Sequence, residues 1–216
     1  MSMNENRAVI EPNRSWTMEP DSRRQIVHWY DFICPFCYVS QDRDDFLIAQ
    51  ERDVVDLPFR AHPDIPPEGV QVGPRHGPTF RSVEAQARAA GLALNWPSRL
   101  PNSGMALGAA EWVRRNHPAV SRAFSKALFE AHFVLGEDLG DRATILRKAI
   151  QFGLNVAALY TVLEDGSALG WVRESEAMAH THGVRGTPTW LYRGRLLTGA
   201  RPIEEFSRFL QDAETP

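Results

Sequence analysis

The sequence predicts an α/β fold in which a strand–helix–strand half and a strand–strand–helix half flank a block of roughly 100 helical residues. Three observations carry this reading. A β-branched and aromatic run, Gln25-Ile26-Val27-His28-Trp29-Tyr30, leads directly into a helical pattern. Helical periodicity then recurs, broken only by short turns, from about Phe80 to His182. Finally, two short apolar runs are joined by Arg193-Gly194 and followed by an amphipathic segment.

In chain order, the polar head 1–24 has two prolines, Pro12 and Pro20, and reads as an arm, with Trp16 as a candidate docking side chain. Gln25 to Tyr30 is the first strand. Pro35 suits a first helical turn, where its missing N–H has no partner to lose. Val39, Phe46 and Leu47 recur at helical spacing up to Arg52, with Asp42, Arg43, Asp44 and Asp45 on the other side. Val54 to Ala61 is the second strand, and the Pro- and Gly-rich stretch 62–78 is a loop. Helices are expected over 80–90, 103–116, 118–134, 141–152, 155–164 and 168–181. Asp141 and Asn155 are candidate N-caps, and Gly91, Gly136, Gly153 and Gly183 candidate stops. Thr189–Tyr192 and Arg195–Thr198 form a hairpin, and Ile203 to Gln211 the last helix.

The length of 216 residues suits about one domain, or one domain carrying a large insertion. No run approaches the roughly 18 apolar residues of a membrane span, and the head lacks the apolar stretch of about 7–15 residues that a secretory signal requires. The chain is therefore expected to be cytoplasmic and not membrane-bound. Its formal charge is −3, and of its 24 basic residues only Lys126 and Lys148 are lysine. The arginines are scattered rather than grouped, so no nucleic-acid partner is expected. GxSxG, HExxH, GxGxxG and GxxxxGK[ST] are absent, which leaves hydrolase, metalloprotease, dinucleotide and P-loop readings without support.

The sharpest feature is Cys34-Pro35-Phe36-Cys37, set between a strand and a helix. Two cysteines at this spacing can close a small disulfide ring. The unpaired N–H groups of the helix start stabilise a thiolate on the first. Cys34 is thus the expected nucleophile and Cys37, one turn deeper, the resolving thiol. The alternatives are a zinc half-site completed by His180 and His182, and a pair of buried, inert thiols. A second CxxC is lacking, and no metal is expected.

Strand, CPxC, helix, a helical insertion, then Gly186-Thr187-Pro188-Thr189 opening a hairpin and a final helix resemble the thioredoxin fold of the DsbA superfamily, and within it the FrnE-like members. The likeness also rests on Asp31 to Tyr38, the Pro63–Gly69 loop, Asn102-Ser103 with Ala106, Ala109 and Ala110, and Gly199-Ala200-Arg201-Pro202. It covers about Gln25 to Leu210. It implies a thioredoxin-like domain made of 25–62 and 183–216, with 63–182 as connecting loop and helical insertion. It further implies that Pro188 is cis and faces the CxxC, that the Thr187 backbone is free to pair with an extended substrate, and that the Thr187 hydroxyl donates to the Cys34 sulfur. Asn102 and Ser103 fall where related enzymes place polar groups facing the site, beside Gly186 and Thr187 as candidate substrate contacts. Their other reading is a cap for helix 103–116.

Phe36 brings neither charge nor donor, unlike the histidine of the periplasmic oxidant, so a less extreme thiolate and a less oxidising disulfide are expected, on a scale of about 30 mV per 1.4 kcal/mol. Asp31 reads either as a strand-end carboxylate or as proton acceptor for Cys37. The expected activity is thiol–disulfide exchange with a protein or glutathione-like thiol or disulfide partner, with no tightly bound cofactor and glutathione admissible as co-substrate. A homodimer is compatible with the resemblance. The alternative is a glutathione-dependent isomerase or transferase of the 2-hydroxychromene-2-carboxylate isomerase or kappa glutathione transferase type, in which a serine typically replaces the first cysteine.

Overall fold

A computed structural model describes residues 24–214. The expected arm, apart from Arg24, and Trp16 within it lie outside the described residues. Strands β1 (Gln25–Tyr30), β2 (Asp53–Pro58), β5 (Thr189–Tyr192) and β6 (Arg195–Thr198) form one sheet in the order β2-β1-β5-β6. β1 and β2 are parallel, with His28 opposite Asp56; β5 runs antiparallel to β1 and β6. Side-chain alternation along β1 splits the core in two. Ile26 joins Leu47, Trp190, Tyr192 and Phe206 on one face, whereas Val27 and Trp29 join Leu57, Ala179, Val184 and Leu191 on the other.

Helix α1 (Pro35–Val39) follows the CxxC start, and α2 (Gln41–Ala49) follows it. The sequence predicted one helix to Arg52. Instead, the chain tightens at Ser40, whose N–H donates to Cys37 O at 3.2 Å, an i→i+3 closure that ends the first helix after five residues. β2 also stops short of Ala61. Pro58 has no N–H for the ladder, and beyond Phe59 the backbone donors turn to carboxylates: Arg60 N to Glu176 Oε1 at 3.0 Å and Ala61 N to Asp31 Oδ2 at 2.7 Å.

The insertion carries β3 (Val70–Gln71) paired with β4 (Arg99–Leu100), a two-stranded ribbon absent from the sequence expectation. Two-residue strands leave no period to detect. Around it stand α3 (Pro78–Ala89), α4 (Gly104–Asn116), α5 (Pro118–Phe133), α6 (Arg142–Gln151), α7 (Val156–Glu164) and α8 (Ser167–Thr181), before α9 (Ile203–Glu214) closes the chain. Asp141 caps α6, accepting from Ala143 N and Thr144 N, and Asn155 caps α7 through Ala158 N. Gly183, at φ 81, ends α8 in the left-handed region open to glycine. Gly108 lets α4 press on α8, since a Cβ there would lie 2.9 Å from the Ala168 Cβ. One continuous apolar cluster joins Phe32, Cys34, Cys37 and Tyr38 to Leu107, Phe129 and Phe133 of the insertion, so the helical block packs directly against the CxxC turn.

Candidate active site

Cys34 occupies the cap position of α1, with extended backbone (φ −83, ψ 113) and Pro35 as the first helical residue. Both cysteines are free thiols and buried, Cys34 at 8% exposure and Cys37 at 2%. The Thr187–Pro188 peptide is cis, and its loop reaches the cysteine: the Cys34 thiol donates to Thr187 O at 3.3 Å. The Thr187 hydroxyl is buried and holds no partner at ordinary hydrogen-bond geometry. It is therefore available to a charge on the neighbouring sulfur.

The two thiols are driven apart. Hydrogen bonding from Cys37 lowers the Cys34 pKa, burial opposes this, and the Thr187 hydroxyl assists it. Burial and the negative charge of Cys34 push Cys37 well above the ordinary thiol value. One member of the pair is ready to ionise and the other to keep its proton. The helix start contributes as the sequence expected, through the backbone N–H of Cys37 in the first turn of α1, which also lowers the Cys34 pKa. The largest influence is the Cys37 side chain. Phe36 is half-buried against the core and adds no polar group.

Asp31 is fully buried. Its Oδ2 accepts from Ala61 N at 2.7 Å and its Oδ1 from Ile33 N at 3.3 Å, and the Ser103 hydroxyl donates to it. Burial nonetheless raises its pKa to about 6, the three hydrogen bonds and His62 only limiting the rise. Its charge acts on Cys34, raising that thiol's pKa. Ser103 holds the cap position of α4 but makes no capping bond. The cap-like contact comes from Asn102 Oδ1, which accepts from Gly104 N at 3.0 Å, while Asn102 Nδ2 donates to Ile65 O. Asn102 thus ties the 62–69 loop to α4, and Ser103 supports Asp31 from behind; both polar groups are engaged within the fold. Gly186 borders open space, a Cβ there meeting nothing within 4 Å, and its carbonyl accepts from the Thr189 hydroxyl. His180 and His182 are exposed, packing on Phe59 and Trp29. Among the described residues no metal-competent group includes them or the cysteines.

The sequence missed a second polar cluster. Asp44 was expected on the side of its helix away from Val39, Phe46 and Leu47. Asp44 is instead buried, because the sheet supplies partners for it: His28 Nδ1 at 2.9 Å from Oδ2 and Trp190 Nε1 donating to Oδ1 at 2.8 Å. The same His28 Nδ1 lies 2.9 Å from Asp56 Oδ1, and the imidazole stacks on Trp190 with centroids 4.3 Å apart. Arg122 from α5 closes the cluster, 3.2 Å from Asp56 Oδ2 and 3.8 Å from Asp44 Oδ2. Burial alone would lower the His28 pKa, but Asp44 and Asp56 outweigh it and raise it to about 9. His28, Asp44 and Asp56 have the donor types of a metal site. With an imidazolium and a guanidinium already facing the carboxylates, their charge is balanced without one. Only the parallel register of β1 and β2 could have revealed the group.

Comparison with known proteins gives consistent results. A family model for the DSBA-like thioredoxin domain matches residues 25–211. The uncharacterized protein YwbO of Bacillus subtilis (strain 168) is 21% identical over 191 residues, covering 85% of this chain and 94% of that one. Among solved structures, a probable DsbA oxidoreductase from Streptomyces coelicolor superposes with a TM-score of 0.76 at 23% identity, over 89% of this chain and 92% of the other. A 2-hydroxychromene-2-carboxylate isomerase gives 0.72 at 16%, over 87% and 95%. The cytosolic disulfide reductase DsbM from Pseudomonas aeruginosa, solved with GSH, gives 0.61 at 16%, over 87% and 98%. At these identities the structural likenesses speak for the fold. Among the described residues no helix is long and apolar enough to cross a membrane. Matched from the first strand to the last helix, with a CPxC turn beside a Thr–Pro loop, the chain belongs to the DSBA-like thioredoxin domain family.

Proposed function

We propose that this chain is a cytoplasmic dithiol–disulfide oxidoreductase that exchanges electrons through Cys34 and Cys37. The observation that carries the reading is the opposite perturbation of the two thiols at a cysteine held against Thr187 O. In the reducing direction, the Cys34 thiolate attacks one sulfur of a substrate disulfide R–S–S–R′, and R′–S⁻ leaves with the bonding pair. Cys37 then gives up its proton and attacks Cys34 Sγ. The bond to R breaks, R–S⁻ leaves, and the protein holds the Cys34–Cys37 disulfide. Two electrons pass from protein to substrate; the reverse sequence oxidises a dithiol. Thr187 and Pro188 present the substrate, with open space beside Gly186, and Asp31 tunes Cys34. The resemblance to a disulfide reductase solved with GSH favours glutathione as co-substrate over a bound cofactor.

The likeness to 2-hydroxychromene-2-carboxylate isomerase supports a second reading, glutathione-dependent isomerisation, but the retained Cys34–Cys37 pair favours exchange. A glutathione redox titration, quenched by alkylation and read by intact mass, separates them. Joint interconversion of the two cysteines as one disulfide is expected, and Cys37→Ser should accumulate a Cys34 mixed disulfide. If only a stable Cys34–glutathione adduct forms in the native protein, the exchange reading fails and isomerisation takes its place.

A further inference from the structure

The two edges of the four-stranded sheet are finished differently. β2 packs against α2, α4 and α8 and ends on Pro58. Among the described residues β6 pairs with β5 alone, in unbroken register from Thr189↔Thr198 to Tyr192↔Arg195, and it contains no proline. Its backbone parity is fixed at both ends. Arg193 (φ 49) and Gly194 (φ 78) form the two-residue turn closed by the Tyr192–Arg195 pair, and past the strand Gly199 N donates to Pro188 O at 2.8 Å. Hydrogen-bonded pairs alternate with open ones in an antiparallel ladder. Arg195, Leu197 and Gly199 therefore bond towards β5, and Leu196 and Thr198 turn their N–H and C=O to the open edge. Thr198 O accepts from Arg201 Nε at 2.9 Å, which leaves Leu196 at the centre of the open stretch. An edge of this kind is a template for another strand.

The side chains along this edge are ordered. Leu196 is 38% exposed, on the face of the sheet that carries Leu191. On the other face, a groove between β6 and α9 is lined by Arg195, Leu197, Glu205, Arg208 and Asp212. α9 runs back along β6: Arg193 Nη1 donates to Ala213 O at the turn end, and Glu205 stands 3.9 Å from Arg201 at the other. Asp212 is thus level with Arg195, and Glu205 with Leu197.

We propose that β6 is the pairing surface of a homodimer, in which two copies meet antiparallel at Leu196 across a two-fold axis and their sheets join into one. Leu196 N–H and C=O exchange hydrogen bonds with the partner's Leu196, and the two exposed leucine side chains cover each other. Arg195 falls opposite the partner's Leu197, hence beside the partner's Glu205, and the axis repeats the contact. Parallel pairing would instead set Arg195 against the partner's Arg195. The edge is its own complement: a leucine next to a cation, facing a groove whose acid sits where that cation arrives. The same pairing brings the partner's Arg193–Gly194 turn beside Thr198, next to the Gly199 that holds Pro188 O. Each copy then flanks the other's active-site loop.

Sedimentation of the full chain under reducing conditions, across a wide concentration range, should show a monomer–dimer equilibrium. Leu196→Pro removes an outward N–H and no bond to β5; it should weaken association by about a hundredfold, the worth of two main-chain hydrogen bonds. Arg195→Glu sets like charges together at both symmetric contacts and should weaken it by about tenfold. Adding Glu205→Arg to that variant should restore association. Amide exchange followed by NMR reads the contact in the native chain, where the Leu196 N–H should slow as the dimer forms. A monomer at every concentration, whether its edge is bare or covered by some other segment, overturns the proposal. So does a dimer indifferent to Leu196→Pro and Arg195→Glu, or a charge exchange that fails to restore association. A native dimer whose Leu196 N–H exchanges as fast as in the monomer overturns it too, and decides the matter even if Leu196→Pro does not fold.

Discussion

The Cys34 sulfur sits 3.3 Å from the carbonyl oxygen of Thr187, a residue 153 positions away, and the buried Thr187 hydroxyl stands by it with no partner of its own. A thiol donates to that carbonyl; a thiolate is repelled by it and drawn to the hydroxyl. Replacing the hydroxyl by a methyl therefore acts on the charged form alone. Thr187→Val should raise the Cys34 pKa by about one unit, the effect of removing a hydrogen bond to a charge of about 1.5 kcal/mol. Thiolate absorbance followed against pH reads the shift directly; an unmoved titration would mean that the hydroxyl does not reach the sulfur.

Phe36 leaves the space between the cysteines without a donor. Phe36→His should place a cation or N–H there, lower the Cys34 pKa further and make the disulfide more oxidising, by about 30 mV for each unit of pKa displaced. Equilibration of native and variant proteins in one glutathione buffer measures the difference. A shift in the reducing direction contradicts the argument.

Asp31 links stability to pH in the direction opposite to most carboxylates. Its pKa is raised from 3.8 to about 6 by burial, so its contribution is complete below the unfolded value and lost as pH rises through 6. Relative to Asp31→Asn, native protein should lose about 2 kcal/mol between pH 4 and 7. Urea unfolding of both proteins across that range gives the difference, and a flat difference would place the carboxylate in water rather than in the core. The same variant should lower the Cys34 pKa above pH 6, where native Asp31 is charged.

His28 works the other way round in charge and the same way in sign. With its pKa raised from 6.5 to about 9, the stabilisation it gives is complete below 6.5 and fades as pH rises through 9. The gap in melting temperature between native protein and His28→Gln should be constant from pH 5.5 to 6.5 and narrow towards pH 9. A gap that widens on the alkaline side would mean a neutral imidazole.

Gly108 is where α4 and α8 come closest. Gly108→Ala puts a methyl 2.9 Å from the Ala168 Cβ and 3.1 Å from its backbone carbonyl. The gain in helix propensity is outweighed by overpacking, for a net loss of about 1–2 kcal/mol. Chemical denaturation measures it, and a stabilised variant would show that the two helices can part.

The sequence by itself determined whatever depends on neighbours within a few positions. Pro35 marks the helix start, Asp141 and Asn155 cap α6 and α7 through N–H groups two or three residues on, and Arg193-Gly194 turns the final hairpin. The nucleophile and its resolving partner were legible for the same reason, since a CxxC closes its own ring. Tertiary structure alone decided which polar side chains entered the core. Asp44 shares a helical face with charged neighbours and is buried only because His28, Trp190 and Arg122, from three other elements, converge on it. Ser103 looked like a cap and became a donor to Asp31, because Asn102 takes the cap contact and β2 ends where Arg60 and Ala61 meet carboxylates. Burying a charge is costly unless partners arrive from elsewhere in the chain, and no local pattern records where those partners will be.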